Sequence, residues 1–282
     1  MAVVVDSAAI ASAVHDAVLQ AACELRPDVA DALARARAHE RAPRAQRVLD
    51  QLLDSANVAA ADRVPLCQDT GTVWVLIELG EDEGPLAGLG FAVDRAVADA
   101  YREGALRMSV ARDALLDRSN TGDNTPAFLD VVFRPGSGAT VHVMLKGGGS
   151  DNASAIAMLP PSAGLEGVKS FVLETVEQKA AGACPPVVVG VGVGATFDKV
   201  GTLAKKALLR PVGTPAADPR TAAFEVGLLE AINATGIGPA GLGGDTTALA
   251  VHVITAPCHI AALPVAVNMG CSAMRSVSVD VG

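Results

Sequence analysis

Val187-Val188-Val189-Gly190-Val191-Gly192-Val193-Gly194-Ala195 is the stretch that decides between two folds. Its valines read as a short buried strand over Pro185–Val189, followed by a glycine-rich turn and a helix over Asp198–Leu209. Gly190, Gly192 and Ala195 satisfy G-x-G-x-x-G/A, the cradle of a dinucleotide pyrophosphate. The rest of that fingerprint is missing. A ribose-binding carboxylate belongs about 20 residues on, at the end of a second strand. Lys205-Lys206-Ala207-Leu208-Leu209-Arg210-Pro211 occupies that place, helical and then broken by proline. The stretch therefore points to a tight strand-to-helix turn that packs closely. A NAD(P)-binding oxidoreductase domain is the alternative.

Outward from this stretch the chain reads as mixed α/β. Apolar residues recur at helical spacing through Ser7–Leu25, Asp28–His39 and Arg44–Asp54, so 1–60 form a helical subregion. Asp6 or Ser7 caps the first helix, and Pro27 separates the first two. A strand follows at Val73–Leu79 and an amphipathic helix over 86–102. Strands at Phe128–Phe133 and Thr140–Leu145 flank Arg134-Pro135-Gly136-Ser137-Gly138, which predicts a hairpin. Helices are expected over 165–181 and Arg220–Ala234. Two strands, Thr246–Thr255 and Leu263–Asn268, close the pattern. The expectation is a helical N-terminal region followed by mixed β-sheet structure with packed helices, one domain over 1–282.

Composition narrows the function. The 282 residues carry 22 Lys+Arg against 31 Asp+Glu, a net charge of −9, which argues against a general nucleic-acid binder. Half the residues are hydrophobic, so a sizeable core is available. No apolar run has the length of a membrane helix. The N-terminus has no basic region ahead of its apolar residues and makes a poor secretory signal. A cytoplasmic protein is expected.

The five cysteines are Cys23, Cys67, Cys184, Cys258 and Cys271. An odd, sparse set argues against a disulfide framework. No C-x-x-C pair is present, which excludes a zinc knuckle or ferredoxin motif. Cys67, Cys184 and Cys271 each lie beside turn residues, whereas Cys23 lies within a periodic apolar segment, where a buried structural cysteine belongs. Spacing alone leaves the three as separate thiols or as one shared site. His142 and His252 fall inside strands, and His15 and His39 on helices. His259 is in a loop, where chemistry is more often found. Lys146-Gly147-Gly148-Gly149-Ser150 ends a strand with exposed N–H groups that suit an anion such as a carboxylate, or else a flexible exit.

Taken together, six ordered blocks resemble the α subunit, or N-terminal domain, of class I fumarate hydratases and the related tartrate dehydratases. They are Pro65-Leu66-Cys67-Gln68-Asp69-Thr70-Gly71-Thr72, Asn120-Thr121-Gly122-Asp123-Asn124-Thr125-Pro126, the triple glycine, Ala183–Gly190, Leu203–Pro211, and Gly241–Gly244 through Leu263–Asn268. The resemblance implies an iron–sulfur hydro-lyase that hydrates fumarate reversibly, or a tartrate dehydratase or related dicarboxylate enzyme. It implies a [4Fe–4S] cluster held by Cys67, Cys184 and Cys271, with one iron left open as a Lewis acid. Asp69 and His259 are the catalytic residues it implies. It also implies that Gln68, Arg107 and Gly149 bind the substrate, the guanidinium of Arg107 suiting a carboxylate. Cys23 and Cys258 are bystanders. Gly282 follows shortly after the third cysteine, and single-chain relatives continue into a second domain. A separate β subunit supplying that domain is therefore expected, within an oligomer.

Overall fold

The computed structural model describes residues 5–282. The mixed α/β class holds. Two compact units divide the chain: the first joins the chain up to Arg26 with Ala56–Gly148 and Arg275–Gly282, and the second joins Pro27–Ser55 with Gly149–Met274.

The first unit begins with helix α1, Ser7–Cys23. Asp6 caps it, its carboxylate accepting the N–H groups of Ala8 at 3.0 Å and Ala9 at 2.7 Å. Ile10, Val14, Ala17, Val18 and Ala21 form its buried stripe. Helix α2, Pro27–His39, belongs to the second unit, and helix α3, Pro43–Asp62, runs through the boundary between the two. Strand β1, Thr72–Gly80, is buried almost throughout. Helix α4, Leu89–Glu103, turns Val93, Ala96, Val97, Ala100 and Tyr101 inward. Strands β2, Phe128–Arg134, and β3, Ala139–Lys146, follow. Valines and leucines of β1 and β3 at every second position meet α1 and α4 in one core.

The predicted hairpin is not formed. The sheet order is β2-β1-β3 with β8, Ser276–Val281, outside β3. β2 runs parallel to β1 and β3 antiparallel to it. The connection 135–138 thus crosses the end of β1. Gly80 permits the crossing, because a Cβ there would stand 2.3 Å from the Gly136 carbonyl oxygen. The physical reason is burial: the apolar β1 takes the centre, and the more exposed β2 takes the edge.

The short helix α5, Gly148–Asn152, leads into the second unit. There follow β4 (Ala155–Leu159), α6 (Gly164–Lys179), β5 (Val187–Ala195), α7 (Phe197–Ala207), α8 (Pro219–Asn233), β6 (Ala248–Cys258) and β7 (Leu263–Gly270). The sheet order is β4-β7-β5-β6, with only β5 and β6 parallel. Strands β4 and β8 are additions to those expected.

The glycine-rich stretch is also not a turn: β5 continues through it to Ala195. Its alternation separates two faces. Val187, Val189 and Val191 pack in the core with Val172, Val176, Leu228 and Ile232 from α6 and α8. Gly190 and Gly192 face α7, where a Cβ would stand 2.2 Å from the Ala204 carbonyl oxygen and 2.4 Å from that of Val200. The glycines let the α7 backbone lie directly on the strand. A pyrophosphate cradle needs them in a tight turn at a helix N-terminus, so the dinucleotide alternative loses its geometric basis.

Candidate active site

In the first unit, the loop before β1 carries Cys67, Gln68 and Asp69. The Leu66 N–H donates to the Ala22 carbonyl oxygen at 2.8 Å, fixing the loop to the end of α1. Thr70 donates its hydroxyl proton to the Arg107 carbonyl oxygen. The Tyr101 hydroxyl lies 2.9 Å from the Thr70 carbonyl oxygen and 3.0 Å from that of Gly71. Burial pushes the Tyr101 phenol up to about 12. Asn124, fully buried, donates to the Gly71 carbonyl oxygen at 3.2 Å and accepts the Ser109 N–H at 2.6 Å. The Arg107 segment and the Asp69 segment are thereby tied together.

The Asp69 carboxylate rests on backbone donors. One oxygen accepts the Gly71 N–H at 3.0 Å and the other accepts the Gly148 N–H at 2.7 Å. Part of the anion-binding capacity expected of the triple glycine is thus used by the protein's own carboxylate. Each oxygen retains further acceptor capacity. Cys67 Sγ lies 3.4 Å from Gln68 Oε1. The Arg107 side chain is exposed.

In the second unit, Cys184 and Cys271 come together. Cys184 precedes β5, and Cys271 follows β7, which runs antiparallel to β5 with Val188 opposite Gly270. The Ser272 N–H donates to the Cys184 carbonyl oxygen at 3.1 Å. Cys184 is exposed and holds a left-handed backbone, φ 55° and ψ 65°. Such a conformation costs a β-carbon residue about 1–2 kcal/mol. Gly149 belongs to the same end of this sheet: a Cβ on it would lie 3.0 Å from the Gly182 carbonyl oxygen, two residues before Cys184. The Ala240 N–H donates to the Pro185 carbonyl oxygen at 2.7 Å, which places the glycine-rich segment ahead of β6 against the Cys184 loop.

His259 is not part of that end. It follows β6, which runs parallel to β5, and precedes β7. The eight residues of β7, roughly 25 Å of strand, separate it from Cys271. Its Nδ1 accepts the Ala261 N–H at 3.1 Å. Cys258 shares this far end and directs its thiol to the Ala262 carbonyl oxygen. Cys23 is buried on α1, and burial raises its thiol above the usual range.

The donor chemistry fits an iron–sulfur cluster. None of the five cysteines forms a disulfide, and the three on strand-end loops are exposed or partly exposed. Among the described residues no three His, Cys, Asp or Glu side chains are gathered to hold one metal ion. A cluster makes a different demand, since each thiolate binds its own iron.

Arg275 was not legible as part of the site. It is 2% exposed, and its Nη1 donates to the Asp69 carbonyl oxygen at 2.7 Å. Tyr101 is likewise a support that the sequence pattern did not single out, whereas Asn124 lies in one of the blocks that carry the resemblance. No helix among the described residues is long and apolar enough to cross a membrane.

A family model described as "Fumarate hydratase (Fumerase)" matches residues 11–280. A Methanocaldococcus jannaschii protein named "Putative L(+)-tartrate dehydratase subunit alpha" is 39% identical over 262 residues, covering 91% of this chain and 92% of its own. The Escherichia coli "L(+)-tartrate dehydratase subunit alpha" is 34% identical over 252 residues, covering 88% of this chain and 82% of its own. A Shigella sonnei protein of the same name is 33% identical over the same shares. With the loop residues placed as above and a match over nearly the whole chain, the protein belongs to the fumarate hydratase family of hydro-lyases.

Proposed function

We propose that this chain is the α subunit of an iron–sulfur hydro-lyase that adds water to, or removes it from, a four-carbon dicarboxylate. The observation that carries the proposal is the pairing of Cys184 and Cys271 at one end of the second sheet, beside Gly149. By resemblance alone, Cys67 would be the third thiol to hold a [4Fe–4S] cluster. When bound, a cluster with three thiolate ligands leaves one iron to act as a Lewis acid toward the substrate's hydroxyl.

The chain's own residues do the rest. Arg107 binds a substrate carboxylate through its guanidinium. Gln68 and the Gly149 N–H orient the substrate. Asp69 holds or accepts the proton at the carbon next to the one bearing the hydroxyl; its free acceptor positions suit it to this. His259 is the second candidate acid/base group, on resemblance alone. Within one protomer it does not stand beside Cys184 or Cys271.

Two substrates have specific support. The relatives carry L(+)-tartrate dehydratase names, which makes L-tartrate the first substrate to test. Fumarate is favoured by the family model and by Ser150 after the triple glycine. The α-subunit names support a separate β subunit as partner. Anaerobic co-purification with a β subunit, followed by L-tartrate dehydration and fumarate hydration assays, tests the proposal. Matching iron and sulfide with turnover of either acid is expected. Absence of both metal and turnover after reconstitution would overturn it.

A further inference from the structure

We propose that Arg275 is the positioning residue for Asp69. The inference rests on the reading of Asp69 as the acid/base group. Arg275 is a buried cation at 2% exposure. No carboxylate forms an ion pair with it among the described residues, and its Nε is buried without an acceptor. A buried charge held this way is expensive, and an apolar side chain of similar length would suit the core better. Its contacts show what it does instead.

Nη1 donates to the Asp69 carbonyl oxygen at 2.7 Å. The Arg275 carbonyl oxygen accepts the Leu145 N–H at 2.9 Å, anchoring the arginine to the end of β3. A Cβ placed on Gly147 would lie 3.4 Å from Nη2 and 3.1 Å from Asp69 Oδ2. Arg275 therefore backs the turn on which the Asp69 carboxylate rests, while gripping the Asp69 peptide from behind. The carboxylate's direction is set by the Gly71 and Gly148 amides. The arginine holds the Asp69 peptide in register with them. It touches neither substrate nor reacting atoms, so its role is positional.

The test uses the full chain, alone and with its β subunit, as Arg275→Met and Arg275→Lys. Hydrogen exchange at the Gly71 and Gly148 amides, measured on the chain without cluster, should quicken about tenfold in the methionine variant and less in the lysine variant. With the β subunit, kcat should fall up to about 100-fold with KM little changed, at temperatures where both variants are folded. Lysine should recover part of the loss, since it keeps the charge but not the planar fork. Unchanged exchange in a folded methionine variant overturns the proposal. If that variant does not fold, wild-type exchange and kcat in the lysine variant overturn the need for a guanidinium. Faster exchange with wild-type kcat would leave Arg275 as the anchor of the loop and overturn the acid/base reading of Asp69 instead.

Discussion

The Asp69 carboxylate accepts the Gly148 N–H at 2.7 Å across 79 residues of sequence, so the first-cysteine loop and the triple-glycine turn share one hydrogen bond. Asp69→Asn keeps the volume but presents an amide that is a poor proton acceptor. Turnover should fall about 10²–10⁴-fold. Iron and sulfide content should stay at the wild-type level, which separates lost chemistry from a lost cluster.

Cysteine substitutions should divide into two groups. Cys67→Ala, Cys184→Gly and Cys271→Ala should lose iron and acid-labile sulfide after anaerobic reconstitution. Cys23→Ala and Cys258→Ala should retain both. Glycine is chosen at 184 because the left-handed backbone there, φ 55°, favours it, so that variant should fold at least as well as the parent. Retention of a full cluster in Cys184→Gly would contradict the ligand assignment.

His259→Ala should leave the iron content unchanged, because its loop lies at the far end of β7 from Cys271. A drop in turnover with metal intact would support a chemical role for the imidazole. Full activity would remove it from the catalytic set.

The β5 glycines should be intolerant of even one methyl group. Gly190→Ala or Gly192→Ala drives a Cβ into the α7 backbone, a clash no rotamer relieves. Destabilisation of about 1–3 kcal/mol or more is expected, seen as a Tm lower by several degrees.

Tyr101 is the sole tyrosine, so its titration is visible without interference. Its pKa is raised to about 12 by burial, whereas in the unfolded chain it ionises near the ordinary tyrosine value of about 10. A raised folded pKa means that the stabilisation is complete below pH 10 and is lost as pH climbs through 12. Denaturation midpoints followed across that window should fall in the parent and fall less in Tyr101→Phe. Ultraviolet titration of the phenolate gives the folded value directly.

Much of the fold was legible because its signals are local. The stripe of α1 and its Asp6 cap are written in consecutive residues. The hairpin misreading over 135–138 has a non-local cause. Whether β2 pairs with β3 or with β1 depends on which strand the core claims, and a Pro-Gly turn says nothing of that. The β5 glycines misled for a similar reason: glycine signals a turn unless another backbone needs the space, and α7 supplies that need from downstream. In β8, Val277, Val279 and Val281 are more buried than Ser278 and Asp280, so an alternating signal was present after the buried Ser276. Cys67, Cys184 and Cys271 stood out by their turn contexts. Arg275 did not, because an arginine among Ser, Ala and Met gives no local sign that it will be buried.

The grip of Arg275 on Asp69 also imposes an order in time. The two residues lie 206 positions apart. At about 5–20 residues per second on the ribosome, the Asp69 loop emerges roughly 10–40 s before its anchor is synthesised. During that interval Cys67 sits on a loop lacking one of its fastenings, and β3 lacks its β8 neighbour. If Cys67 is a cluster ligand as proposed, metal delivery to a nascent chain would meet an unfinished receptacle. On the proposed ligand set, productive loading would follow release of the segment carrying Arg275 from the exit tunnel.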